Sequence, residues 1–294
     1  MLIPEIPDDV EWGEAEVPSR FEDVAQDGRI QLGAMLHGLG RTNWRRLMKQ
    51  PGSKELMSQG VVPILTRLVV HGYDGPFAVD PNPQARGAFA FSHVPAETGG
   101  AERILVGMWL EVRAPIGAVY GAPPDRAGEV VVAGRVYAEH TLTRPFASPG
   151  ERRVTKIDAP GLDAVPGRAT ARVLPTDVAK LPAGATKLDP DPVAEPSSFV
   201  FGMMHTDWNQ HVNSLVYLRL FEEAALRRMK AHGHSGPLLA RRAEIAYAKP
   251  SFAGDAVRVS VQAYEHEGKL GATGAFVPEG GAAEKPTCFV HLGF

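Results

Sequence analysis

Between Ser214 and Ala225 the chain reads "SLVYLRLFEEAA", apolar on nearly every face of a helix. A helix that is apolar all round is usually buried all round, so the chain around it must wrap it. The segments after it read as strands: "RRAEIAYAKPSF", "DAVRVSVQAYEHE", "GATGAFV" and "PTCFVHLGF". These runs are rich in β-branched and aromatic residues and are bounded by turn formers. The helix is predicted from Ser214 to about Ala231, roughly five turns. Asn213 fits its N-cap and Gly233 its C′ position. A buried helix succeeded by a meander of long antiparallel strands calls for a sheet curled around it, an α+β architecture.

The first half shows the same order. "RIQLGAM", Arg29 to Met35, reads as a short strand, and "GRTNWRRLMK" as a helix ended by Pro51-Gly52. Four strand runs come next: "GVVPILTRLVVHG", "ARGAFAFSHV", "RILVGMWLEVRAPIGAVYG" and "GEVVVAGRVYAEHTLTR". The repeated order points to duplication of a unit of roughly 120 residues, a size fit for one domain. Residues 158–197 are rich in Pro, Ala and Asp with weak periodicity. A structureless loop of that length is unusual inside one compact domain. The expected organisation is an N-terminal unit with an extended arm over 1–157, a surface linker over 158–197 and a C-terminal unit over 198–294.

Composition narrows the function classes. The 294 residues are 44% hydrophobic and 22% charged, as in a soluble globular protein. A formal net charge of −3 gives no basic field for nucleic acid. No apolar run approaches the ~18 residues of a membrane span. The acidic, proline-punctuated N-terminus "MLIPEIPDDVEWGEAEVP" lacks the pattern of a secretory signal. Cys288 is the only cysteine, so no internal disulfide or cysteine metal cluster is expected, and a reducing, cytoplasmic setting is.

The chemistry-bearing residues stand just ahead of the apolar helix, in "HTDWNQHVNS". Asp207, Asn209 and His211 alternate, so an extended segment would project them to one side. Aspartate supplies a base or an orienting anion, asparagine supplies donors and an acceptor, and histidine shuttles protons near neutral pH. The helix that begins next offers free N–H groups and a positive dipole end to an oxyanion. Such a set beside an apolar helix suits hydrolysis of an ester-like bond on a greasy substrate. The plainer reading of each residue alone is an N-cap or Asx-turn; the whole string favours chemistry.

"DWNQHVNSLVYLRLFEEA" resembles the signature of hotdog-fold acyl thioesterases. It is especially similar to that of the plant-type acyl-ACP thioesterases, whose catalytic half carries D-x-N-Q-H-V-N-N. Asp207, Asn209, Gln210, His211, Val212 and Asn213 match it, and Ser214 replaces its second Asn. The tail "YLRLFEEA" also resembles the helix of the wider 4-hydroxybenzoyl-CoA thioesterase group. The resemblance implies a double hotdog, two tandem units each with a sheet wrapped around a helix, as an internal pseudo-dimer or a homodimer. It implies cleavage of fatty acyl-ACP or acyl-CoA without a cofactor, with Asp207, Asn209 and His211 catalytic and Val212 and Asn213 near the substrate; no metal is expected, because His205, His211, His232 and His234 lack a tight ligand spacing.

The family's further Glu is absent; Pro250 and Ser251 of "AYAKPSF" stand in its place. Glu222 and Glu223 are candidate replacements, since a carboxylate in a buried helix needs a partner or a function. Their alternative is pairing with Arg219 or Arg227 at helical spacing. Glu244 is a weaker candidate, explained by an exposed strand position. Arg227 and Arg228 could meet the phosphates of CoA or an acidic carrier protein. In the first half, alignment on Met-x-His sets Leu39, Arg41 and Asn43 against the catalytic triplet, so that copy is read as non-catalytic. A silent acyl-binding protein and an enoyl-thioester hydratase are the competing functions.

Overall fold

The computed structural model describes residues 1–118, 122–236, 238–280 and 285–294. The last three residues of the run "RILVGMWLEVRAPIGAVYG", 119–121, lie outside them. The chain divides into two compact units, Leu2–Val173 and Leu174–Phe294 with Met1.

The first unit opens with a short strand, β1 (Gly13–Glu16), and a helical stretch: α1 (Leu32–Met35), α2 (His37–Leu39), a π-turn (Gly40–Trp44), α3 (Arg45–Leu47) and α4 (Pro51–Ser58). Four long strands complete it: β2 (Val62–Gly72), β3 (Gln84–Pro95), β4 (Ala101–Pro115) and β5 (Val130–Thr143). They form an antiparallel sheet in the order β1-β3-β4-β5-β2. The helical stretch lies close against it. The fully buried Asn43 donates from Nδ2 to the carbonyls of Ala88 (2.8 Å) and Trp109 (3.0 Å). A side chain at Gly87 would collide with Asn43 and Thr42.

Two local expectations fail in this unit. Arg29–Met35 is not a strand: only Ile30 pairs, with Val24, and helix begins at Leu32. Pro51 does not end a helix but starts one at N1, where its missing N–H costs nothing.

The second unit contains α5 (Pro175–Val178), β6 (Thr186–Lys187), β7 (Val193–Ala194), β8 (Phe199–Val200), α6 (Ser214–Ala231), β9 (Arg242–Tyr247), β10 (Ala256–His266), β11 (Lys269–Pro278) and β12 (Cys288–Gly293). The long strands are antiparallel in the order β9-β12-β11-β10. β6, β7 and β8 pair in turn along the outer edge of β10 and so cover an edge that would otherwise be bare. Residues 158–197 are thus divided. The first part belongs to the first unit, and from Leu174 onward the segment packs onto the second. Asp189, fully buried, anchors it: the carboxylate accepts from Arg228 and from His232 Nε2 (2.8 Å) on one oxygen and from the Ala263 amide (2.9 Å) on the other.

Helix α6 has the predicted span, with Asn213 as N-cap and Gly233 just past its end at φ 83°. It is not buried all round. Tyr217, Leu218, Phe221, Ala224, Ala225 and Met229 form the buried stripe, while Arg219, Glu223, Arg227 and Lys230 face solvent. The stripe meets β11, with Tyr217 and Phe221 at 5.1 and 6.3 Å from the Phe276 ring. At Gly274 an added Cβ would collide with the Ser260 carbonyl of β10 and come 2.9 Å from the Phe221 ring, so the neighbouring strand and the helix both require glycine there. Among the described residues no helix is long and apolar enough to cross a membrane.

Candidate active site

The motif folds as a tight loop between a 3-10 turn, Met203–His205, and α6. Thr206 and Val212 pair across it. The Asp207 amide donates to the His211 carbonyl (3.2 Å) and the Gln210 amide to the Asp207 carbonyl (2.9 Å). Gln210 takes φ 65°, the left-handed conformation that closes the turn. Asp207, Asn209 and His211 therefore do not alternate along an extended strand. The loop is stitched to its surroundings by Asn213 N–H to the His205 carbonyl and Val212 N–H to the Ser251 carbonyl, both 2.8 Å.

Asp207 is held at both carboxylate oxygens. Oδ1 accepts from the Asn209 amide at 2.9 Å, and Oδ2 accepts from Asn213 Nδ2 at 3.3 Å. Asn213 in turn caps α6 by accepting from the Leu215 amide at 3.0 Å. His211 is half-buried, its Nδ1 3.5 Å from the Val212 carbonyl, and Asn209 is exposed. Val212 is buried. The loop thus brings together Asp207, Asn209 and Asn213 by hydrogen bonds, with His211 and Val212 on its return arm.

The helix carboxylates stand apart in role. Glu223 is 68% exposed and lies 3.8 Å from Arg227, one turn further along α6. Glu222 is half-buried. Arg227 also pairs with Glu195 (2.6 Å), and Arg228 with Asp189, so acids of their own unit engage both arginines. Glu244, expected on an exposed strand position, is buried at 7% exposure; it sits opposite His291 on β12. Of Pro250 and Ser251, the residues expected in place of a further Glu, Ser251 lies beside the motif, its carbonyl accepting from the Val212 amide and its side chain buried. Burial pushes the phenol of Tyr217, on the buried stripe of α6, up to about 12 and raises the Tyr247 phenol and the Cys288 thiol well above their usual values.

Sequence reasoning passed over the loop's apolar rim. Trp208 is 97% exposed and Met204 95%, with Met203 and Phe252 also exposed. The signal was available: a tryptophan inside an otherwise polar turn string has no fold-stabilising reason to be there.

The first unit contains the same loop in different residues. Val24 pairs with Ile30, the Ala25 amide donates to the Arg29 carbonyl, the Gly28 amide to the Ala25 carbonyl, and the Gln31 amide to the Asp23 carbonyl. Each bond has its counterpart 182 residues later. Gly28, at φ 81°, stands where Gln210 does. Ala25, Asp27 and Arg29 thus correspond to Asp207, Asn209 and His211, not Leu39, Arg41 and Asn43. The Met-x-His alignment failed because the shared feature is a backbone hydrogen-bond pattern that carries little sequence.

No family model matches the chain, and no curated protein sequence matches it. Solved structures do. A protein from Lactobacillus plantarum assigned as an oleoyl thioesterase superposes with a TM-score of 0.60 at 12% identity, covering 97% of this chain and 96% of that one. An acyl-ACP thioesterase from Bacteroides thetaiotaomicron superposes with a TM-score of 0.51 at 16% identity, covering 96% and 97%. At these identities the likeness is one of fold. The chain is an α+β double hotdog, with two tandem units of antiparallel sheet and helix.

Proposed function

We propose that the protein is an acyl thioesterase, hydrolysing the thioester of a fatty acyl-ACP or acyl-CoA to acid and thiol at the Asp207–Asn213 loop. The observation that carries the reading is the placement of His211 and the capped N-terminus of α6 on one hydrogen-bonded loop. Water attacks the thioester carbonyl as His211 takes its proton. The carbon–sulfur bond then breaks, and the proton passes to the leaving sulfur. Of the first amides of α6, Leu215 N–H is taken by the Asn213 side chain and Val216 N–H by the Asn213 carbonyl. Among the described residues none accepts from the Ser214 N–H, which is assigned to the developing oxyanion at the positive end of an 18-residue helix. Both oxygens of Asp207 are engaged by the loop, which supports an orienting role for it over a nucleophilic one. Asn209, exposed on the loop, is assigned the positioning of water or the carbonyl, and the rim of Trp208, Met203, Met204 and Phe252 suits a greasy chain.

One feature favours a second reading, a non-catalytic acyl-binding protein: against the thioesterase signature that the motif resembles, Pro250 and Ser251 stand where a further Glu is expected. Incubating the purified protein with acyl-CoA and acyl-carrier-protein thioesters of several chain lengths, with a thiol-trapping reagent, separates the two. Thiol release is the expected result; chain-length-dependent binding with no release would establish the second.

A further inference from the structure

The first unit holds a cavity of about 1010 Å³ that the proposed chemistry does not use. That is at the upper end of the size range of small-molecule sites. Its lining combines apolar side chains, Phe89, Phe91, Ile157 and Leu162, with the guanidinium groups of Arg46 and Arg168. Each guanidinium is met by a carboxylate of the N-terminal arm. Arg46 Nη2 lies 3.0 Å from Glu11, and Arg168 Nη2 lies 2.8 Å from Asp9. Both acids are largely exposed, 91% and 78%, so these pairs hold the arm weakly. The Arg46 guanidinium also stands 5.7 Å from the Phe89 ring centre, so cation and apolar lining adjoin there.

We infer that this cavity is a binding site for a single-headed anionic amphiphile, a long-chain carboxylate, and that Asp9 and Glu11 occupy the head-group position until the ligand displaces them. The arm supplies the argument for the head group: a carboxylate is what each arginine already accepts. With the arm withdrawn, the lining sets Arg46 and Arg168 against Asp163 alone. The apolar side chains of the lining take the tail. The carboxylate is also the class of product that the proposed hydrolysis releases, so a role in product sensing rests on that reading, whereas the site itself does not.

The test is calorimetric titration of the full chain with dodecanoate and with dodecanol, both below aggregation. Dodecanoate is expected to bind and dodecanol to bind far more weakly. Removing one guanidinium, in Arg46→Gln or separately Arg168→Gln, should weaken dodecanoate binding roughly tenfold or more, as loss of a charge-assisted hydrogen bond does. Asp9→Asn with Glu11→Gln should tighten it several-fold, because the competing carboxylates are gone. His211→Ala should leave it unchanged, which separates this site from the loop in the second unit. Equal binding of dodecanol, or unchanged affinity in both arginine variants, overturns the site. Unchanged affinity in the arm variant overturns the displacement. A protein that turns over no thioester yet shows the predicted series would retain this site and lose only the proposed function.

Discussion

At Asp207 the residue-scale question is whether the side chain reacts or holds. Both its oxygens accept hydrogen bonds from within the loop. Asp207→Asn keeps the acceptor for Asn209 but turns an amide toward Asn213 Nδ2. It should cost about 1 kcal/mol in a thermal melt, the usual net value of one hydrogen bond. Turnover should fall less than in His211→Ala; an equal or larger fall would make Asp207 a reacting group. Asn213→Ala removes the cap of α6 and should likewise cost about 1 kcal/mol.

The two loops show at the scale of elements how one backbone tolerates two sequences. Gln210 and Gly28 share the left-handed position, but their surroundings differ. A Cβ on Gly28 would come 2.5 Å from Pro76 Cβ, whereas Gln210 is exposed. Gly28→Gln should therefore destabilise by more than the ~1 kcal/mol of left-handed strain alone. Gln210→Gly should be neutral or slightly stabilising; comparable losses in both melts would show that the loops are not equivalent. Legibility tracked the same physics. Helix α6 could be read to the residue because apolar periodicity, an asparagine cap and a glycine stop agree. The helical stretch over Leu32–Leu47 could not, since short helical pieces around a π-turn break the period. β8 falls within the apolar run "SSFVFGMM", which reads as a short strand, whereas β6 and β7 are pairs of residues bonded through backbone that no side-chain pattern announces. The position of the candidate site was legible in the motif string. Its geometry was not, because a turn closed by a left-handed glutamine breaks the alternation that an extended reading assumes.

On the scale of the whole molecule, acid should be the condition that undoes the fold. Burial holds His140, beside Trp44, down to about 4, and burial does the same to His291 on β12. Unfolded, each would protonate near its ordinary value of about 6.5. Between those values the unfolded chain binds more protons, so the stability each contributes is present above about pH 6.5 and is lost as pH falls toward 4. The loss is on the order of 3 kcal/mol for each. Denaturant melts across that range should show the slope, and His140→Leu should flatten it whatever it does to stability at pH 7; an unchanged slope would remove His140 from the account. Asp189 adds a lower step. Burial alone would raise its carboxyl, but hydrogen bonds from Arg228, the Ala263 amide and His232 outweigh it and hold the group at about 2. Its contribution is present above about pH 4 and is lost as pH falls toward 2. The central claim is tested most directly at neutral pH, by steady-state hydrolysis of one acyl thioester by the wild type and His211→Ala, with a thermal melt of each. The account predicts measurable wild-type turnover, a fall of roughly 10²–10⁴-fold in the variant, and nearly equal melting temperatures. Equal turnover by the two folded proteins would contradict it.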